Sequence, residues 1–104
     1  MKESIVDFAN LPWQTPAPGL RFKSSVWHGQ KLRLLEFTTE YVELDWCRKG
    51  HIGYLLAGEL EIDFSGTHRQ LQAGQGLFID EGEDCKHKAR AITNLATLIL
   101  VERA

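Results

Sequence analysis

Asp45-Trp46-Cys47-Arg48-Lys49-Gly50-His51 runs directly into Ile52-Gly53-Tyr54-Leu55-Leu56-Ala57-Gly58 and then into Glu59-Leu60-Glu61-Ile62-Asp63-Phe64. A polar segment rich in metal-ligand side chains thus feeds two apolar strands that meet at a glycine. Residues 59–64 alternate polar and apolar without a break, which is the period of a strand with one face buried. Leu60, Ile62 and Phe64 are expected to point inward. A second segment, Gly74 to His87, repeats the arrangement: glycine punctuation, a short apolar strand, then a polar loop. The two segments are expected to face one another and to form a pocket.

Working outward, the rest of the chain reads as more strands. Leu20 to Trp27 and Lys31 to Thr38 flank His28-Gly29-Gln30, a short hairpin loop. The second of these strands is apolar on both faces, Leu32 and Leu34 on one, Leu35 and Phe37 on the other, so both sides are expected to be covered. Tyr41 to Leu44 reads as a short strand. Ser65-Gly66 is a two-residue hairpin signal returning through Thr67 to Leu71. Leu77 to Ile79, Cys85 to Ala91 and Ala96 to Glu102 complete the set, with an acidic loop at Asp80 to Asp84. No stretch shows helical periodicity. Many short strands at close spacing indicate an all-β sandwich or barrel.

The 104 residues correspond to one domain. Residues 1–20 read as an irregular arm, because Pro12, Pro16 and Pro18 remove donors, and residues 21–104 as the barrel. Phe8 and Trp13 are expected to pack that arm on the barrel, since burying each is worth about 1.5–3 kcal/mol. A net charge of -2 with dispersed Lys and Arg gives no electrostatic footprint for nucleic acid. No apolar run approaches the roughly 20 residues of a spanning helix. The acidic residues near Met1 do not suit a secretory signal, so the expected location is cytoplasmic, with no membrane partner. In a reducing compartment Cys47 and Cys85 are expected as thiols or metal ligands rather than as a disulfide.

The glycine spacing resembles that of the cupin family, whose two motifs are G-x5-H-x-H-x(3,4)-E-x6-G and G-x5-P-x-G-x2-H-x3-N. Gly58 matches the closing glycine of the first, and His51 then occupies its glutamate place. The shorter spacing puts Asp45 and Cys47 in the histidine places; the longer puts Leu44 and Trp46 there. Thr39 stands for the opening glycine. In the second motif Gly74 and Gly82 match, Asp80 replaces proline, Cys85 replaces histidine and Ala89 replaces asparagine. The resemblance spans about Leu32 to Val101. It implies a double-stranded β-helix, the jelly-roll barrel of the RmlC-like type, usually a homodimer, with a metal held by residues of both motifs.

No family ligand is kept in kind, yet the replacements are themselves metal donors. Cys47, His51, Cys85 and His87 make a set of thiolates and imidazoles suited to zinc, iron or nickel. His87 lies two residues beyond Cys85, so on a strand the two would share a face. Asp45 and Trp46 are the candidate ligand-binding residues. The leading reading is a small-molecule-binding barrel with an optional metal in its pocket, its catalysis undetermined. The alternatives are a metal-dependent enzyme of the oxygenase or isomerase type, and a vestigial barrel acting in protein–protein contact. Cys47 with His51 also suggests a nucleophile and base, with no third orienting group evident.

Overall fold

A computed structural model describes residues 5–104. Its strands are β1 (Gln14–Ala17), β2 (Leu20–Trp27), β3 (Gln30–Phe37), β4 (His51–Ala57), β5 (Glu59–Phe64), β6 (Thr67–Gln72), β7 (Gly76–Ile79), β8 (Lys88–Ala91) and β9 (Ala96–Arg103). There is no α-helix among the described residues, and none long and apolar enough to cross a membrane. Two antiparallel sheets form, in the order β1-β2-β3-β9-β4-β7 and β6-β5-β8. Leu35, Leu55 and Leu98 from the larger sheet meet Leu60, Ile62 and Leu71 from the smaller one in a single apolar core. The fold is therefore all-β, as the alternation implies.

Turn chemistry sets the registers. His28 and Gly29 (φ 51° and 76°) and Ser65 and Gly66 (φ 54° and 102°) are paired left-handed residues, the signature of tight two-residue hairpins. Gln30 consequently joins β3 and pairs with Trp27 instead of sitting in the loop. At Gly58 the need for glycine is double. Its φ is 79°, and a Cβ there would collide with the Leu95 carbonyl. Gly53 in β4 leaves room for the Leu100 side chain beside it. On β5, Leu60 and Ile62 are buried and Phe64 packs half-buried against the core.

Three segments depart from the sequence reading. The arm contains a real strand: β1 pairs with β2, and Pro16 is accommodated because β1 lies at a sheet edge. Trp13 packs beneath two cations of β2, Arg21 at 4.0 Å and Lys23 at 4.7 Å from the ring centre. Tyr41 to Leu44 is not a strand. There the Glu43 carboxylate accepts the Ala89 N–H at 2.9 Å, so a side chain takes the place of a ladder partner. The segment expected as a strand from Cys85 starts only at Lys88, because Glu83–Cys85 forms a 3-10 turn. Glu83 ties that turn to Arg48 (2.6 Å) and Lys86 (2.7 Å).

Candidate metal centre

Strand alternation turns polar at one end of the barrel. On β9 the inward row is Ala96, Leu98, Leu100 and then Glu102, and on β3 it is Phe37, Leu35, Arg33 and then Lys31. Register sets Lys31 opposite Glu102, and His51 starts β4 one step beyond the Ile52–Val101 pair. The segment before β4 is joined to the second polar segment by a two-way backbone bridge. Cys47 and His87 exchange N–H···O bonds of 2.9 Å in both directions. This bridge joins the two polar segments that are far apart in the chain.

Cys47, His51 and His87 thereby converge, with one ligand atom from each lying within 4.8 Å of the others, a group that could hold a metal ion. The Cys47 Sγ stands 3.5 Å from His51 Nε2. The two rings meet edge to face with centres 5.0 Å apart. Both histidines are buried. His87 Nδ1 lies 3.0 Å from the Cys85 carbonyl, which can only accept, so the ring carries a proton there. His51 Nδ1 lies 2.9 Å from Glu102 Oε2. The ring N–H is out of line with that oxygen, so the contact is a charge contact without an aligned hydrogen bond. It still favours the proton on Nδ1. Both imidazoles thus have an outer partner at Nδ1, the usual arrangement of metal-binding histidine.

The electrostatics of the ion-free group follow from these contacts. Hydrogen bonding from His51 and then His87 lowers the Cys47 thiol to about 5. Burial works against a charged His51, but Cys47 and Glu102 outweigh it and raise the ring to about 9. Burial likewise opposes a charged His87, and its contacts with Cys47 and the Cys85 carbonyl leave its pKa raised. Glu102 is buried, which opposes ionisation, yet His51 and Arg33 bring it to about 2. Arg33 Nη1 reaches Glu102 Oε1 at 3.0 Å. Glu43 is raised, chiefly by burial.

The group borders a cavity of about 300 Å³ within the barrel. Leu35, Phe37, Leu60 and Leu98 form its apolar wall; Lys31, Arg33, Glu43 and Lys49 are among its polar residues. The other residues proposed from sequence lie elsewhere. Cys85 is half-buried in the 3-10 turn, outside the three-residue group, and contributes its carbonyl to His87. Asp45 is exposed. Trp46 stacks against Lys88 at 4.5 Å and Lys86 at 5.6 Å. Neither Asp45 nor Trp46 lines the cavity. Glu102, Arg33 and Glu43 were not indicated by the sequence. The only signal was a charged residue at the apolar parity of a strand, as Glu102 is in β9.

No protein-family model and no curated protein matches the chain. Solved structures do. KdgF from a Halomonas species superposes with a TM-score of 0.79 at 20% identity, covering 97% of this chain and 94% of that one. An RmlC-like cupin from Shewanella frigidimarina gives 0.77 at 15% identity, over 96% and 89%. The cupin domain of Schizosaccharomyces pombe Cnp3 gives 0.74 at 12% identity, over 97% and 69%. At such identities the likeness concerns the fold and not an activity.

Proposed function

The chain has the cupin fold, and on that premise we propose that it is a small-molecule-binding barrel whose ligand docks beside a divalent metal held by Cys47, His51 and His87. The observation that carries this reading is the convergence of one thiol and two imidazoles within 4.8 Å, each ring anchored at Nδ1 by an outer partner. Zinc–sulfur and zinc–nitrogen bonds of about 2.3 and 2.0–2.1 Å in a tetrahedron separate the two ligand atoms by roughly 3.6 Å. The Cys47–His51 spacing of 3.5 Å agrees with that. One thiolate and two imidazoles suit zinc best, with iron and nickel next. Three protein ligands leave a position open to water or a ligand, where the metal would act as a Lewis acid.

The chain's own residues have separable tasks in this reading. Glu102 and the Cys85 carbonyl orient the two rings, and Arg33 keeps Glu102 ionised. The aliphatic wall excludes water from the bound ligand. Glu43, half-buried on the cavity wall, can hold or release a proton at its carboxyl. The working form is a cytoplasmic homodimer joined through the outer face of the larger sheet.

Elemental analysis of protein purified without chelator or affinity tag tests the metal. One equivalent of zinc, iron or nickel is expected, and it should be lost in Cys47→Ala and in His87→Ala. Protein with no bound metal, and no rise in melting temperature on adding zinc, would end this reading.

A second reading is favoured by one observation. Cys47, His51 and Glu102 are strung in the order of a nucleophile, a base and an orienting carboxylate, at 3.5 and 2.9 Å. It predicts rapid alkylation of Cys47 by iodoacetamide near pH 6 in metal-free protein, abolished in His51→Ala and retained in His87→Ala.

A further inference from the structure

The cavity beside the metal group is charged in a way that selects its occupant. Lys31 from β3 and Lys49 from the segment before β4 both line it, and neither ammonium has an ion-pair partner among the described residues. Arg33 lines it too, and its Nη1 is engaged by Glu102 while its Nε has no hydrogen-bond partner. Three cationic side chains and a divalent ion, set against the carboxylates of Glu43 and Glu102 and the Cys47 thiolate, leave a net charge of about +2 around the space. Without the ion, the three side-chain cations still face only the two carboxylates of Glu43 and Glu102, a balance of about +1. The protein as a whole carries -2, so this surplus is local to the cavity.

The rest of the lining is aliphatic and aromatic, with Leu35 and Phe37 further along β3 and Leu60 on β5 in contact with the same space. An inorganic anion would satisfy the cations and leave that wall facing water. A neutral apolar molecule would cover the wall and leave two ammoniums uncompensated. A cavity of about 300 Å³ lies at the small end of the range for ligand pockets, roughly 300–1,000 Å³. We propose that the ligand is a small organic carboxylate, its carboxylate held by Lys31 and Lys49 and its hydrocarbon part lying against Leu35, Phe37 and Leu60. This rests on the metal-site reading for the place of binding, although the lysines act with or without the ion.

Calorimetric titration of the full chain, zinc-loaded and chelator-treated, separates the two claims. The probes are benzoate and succinate, their neutral amides benzamide and succinamide, and inorganic phosphate. Carboxylates are expected to bind at least tenfold more tightly than the matched amides and than phosphate. That preference should fall at least tenfold in Lys31→Gln/Lys49→Gln and return in Lys31→Arg/Lys49→Arg. A chain that takes up no zinc but keeps the preference would sink the metal reading and leave this one standing. Zinc-loaded protein that binds carboxylate and amide alike, binds phosphate best, or binds none of the probes at 10 mM overturns the carboxylate assignment. So does a preference unchanged in the double glutamine variant.

Discussion

Cys47, His51 and Glu102 form a chain of alternating charge, and its pH behaviour follows from the two ends. Glu102 ionises near 2 in the folded protein against an ordinary 4.5. Its contribution to stability is therefore complete above 4.5 and is lost as the pH falls towards 2. Two and a half pH units correspond to about 3 kcal/mol, an upper figure because His51 and Arg33 share the same interactions. Cys47 near 5 against 9.0 adds stability as the pH rises between those values. His51 near 9 against 6.5 gives stability that is complete below 6.5 and lost as the pH rises through 9. Between about 6.5 and 9 the last two cancel, since folding releases one proton from Cys47 and takes one up on His51. Metal-free protein should thus show a urea midpoint that is highest near pH 6.5, falls above that only by what the raised His87 loses, falls from 6.5 to 5, and falls more steeply below 4.5, where Glu61 and Glu83 protonate along with Glu102. Glu102→Gln should make that acid limb shallower, leaving the part supplied by the ion-paired Glu61 and Glu83. A midpoint that climbs across pH 7 to 9 by a full proton's worth would show that Cys47 ionises without His51 taking up the proton, and one with no decline from 6.5 to 5 would show that Cys47 is not ionised.

Among elements, the β4–β5 turn is the one whose sequence admits least change. Gly58 combines left-handed backbone with contact against the Leu95 carbonyl and the Thr93 side chain, whereas Gly66 between β5 and β6 has open space around it. Gly66→Ala should cost about 1 kcal/mol, from backbone strain alone. Gly58→Ala should cost about 3 kcal/mol or more, since backbone atoms must also move. Chemical denaturation of both variants checks the ordering, and equal losses would show that the β4–β5 turn relaxes freely. The same comparison explains what was legible in advance. Strand positions and hairpins came through because a period of two and paired turn residues are local signals, as in Glu59–Phe64. The strand expected at Tyr41 did not form, and the one expected from Cys85 starts only at Lys88, because side chains of Glu43 and Glu83 tie those segments instead of backbone partners. Cys47, His51 and His87 stood out as donor types in polar segments. Glu102 and Arg33 did not, because a charge near the end of a strand looks the same whether it faces solvent or a pocket. Only the register between β3, β9 and β4 brings them to His51.

For the whole molecule, the larger sheet has two faces of very different fate. Its inner row closes the core, while its outer row carries Ile52 (53% exposed), Tyr54 (45%), Leu56 (51%) and Phe78 (85%) on the adjacent strands β4 and β7. Leu32, Leu34, Ile99 and Val101 extend the same face across β3 and β9, half-buried. A continuous apolar sheet surface of this kind is unusual on a monomer and marks an interface. In the homodimer proposed above a second copy covers this face, and a chain of 104 residues has a thin core that gains from added burial. Sedimentation at micromolar concentration should therefore give twice the 11.8 kDa chain mass. Ile52→Lys and Phe78→Glu place charges on that face away from the cavity side of the sheet. Either should shift the protein to monomer, with a melting temperature that no longer rises with concentration. Zinc uptake should survive in both, because Cys47, His51 and His87 all belong to one chain. A wild-type chain that sediments as a monomer would leave the outer sheet without a second copy to cover it. A dimer untouched by both charges would place its interface elsewhere on the molecule.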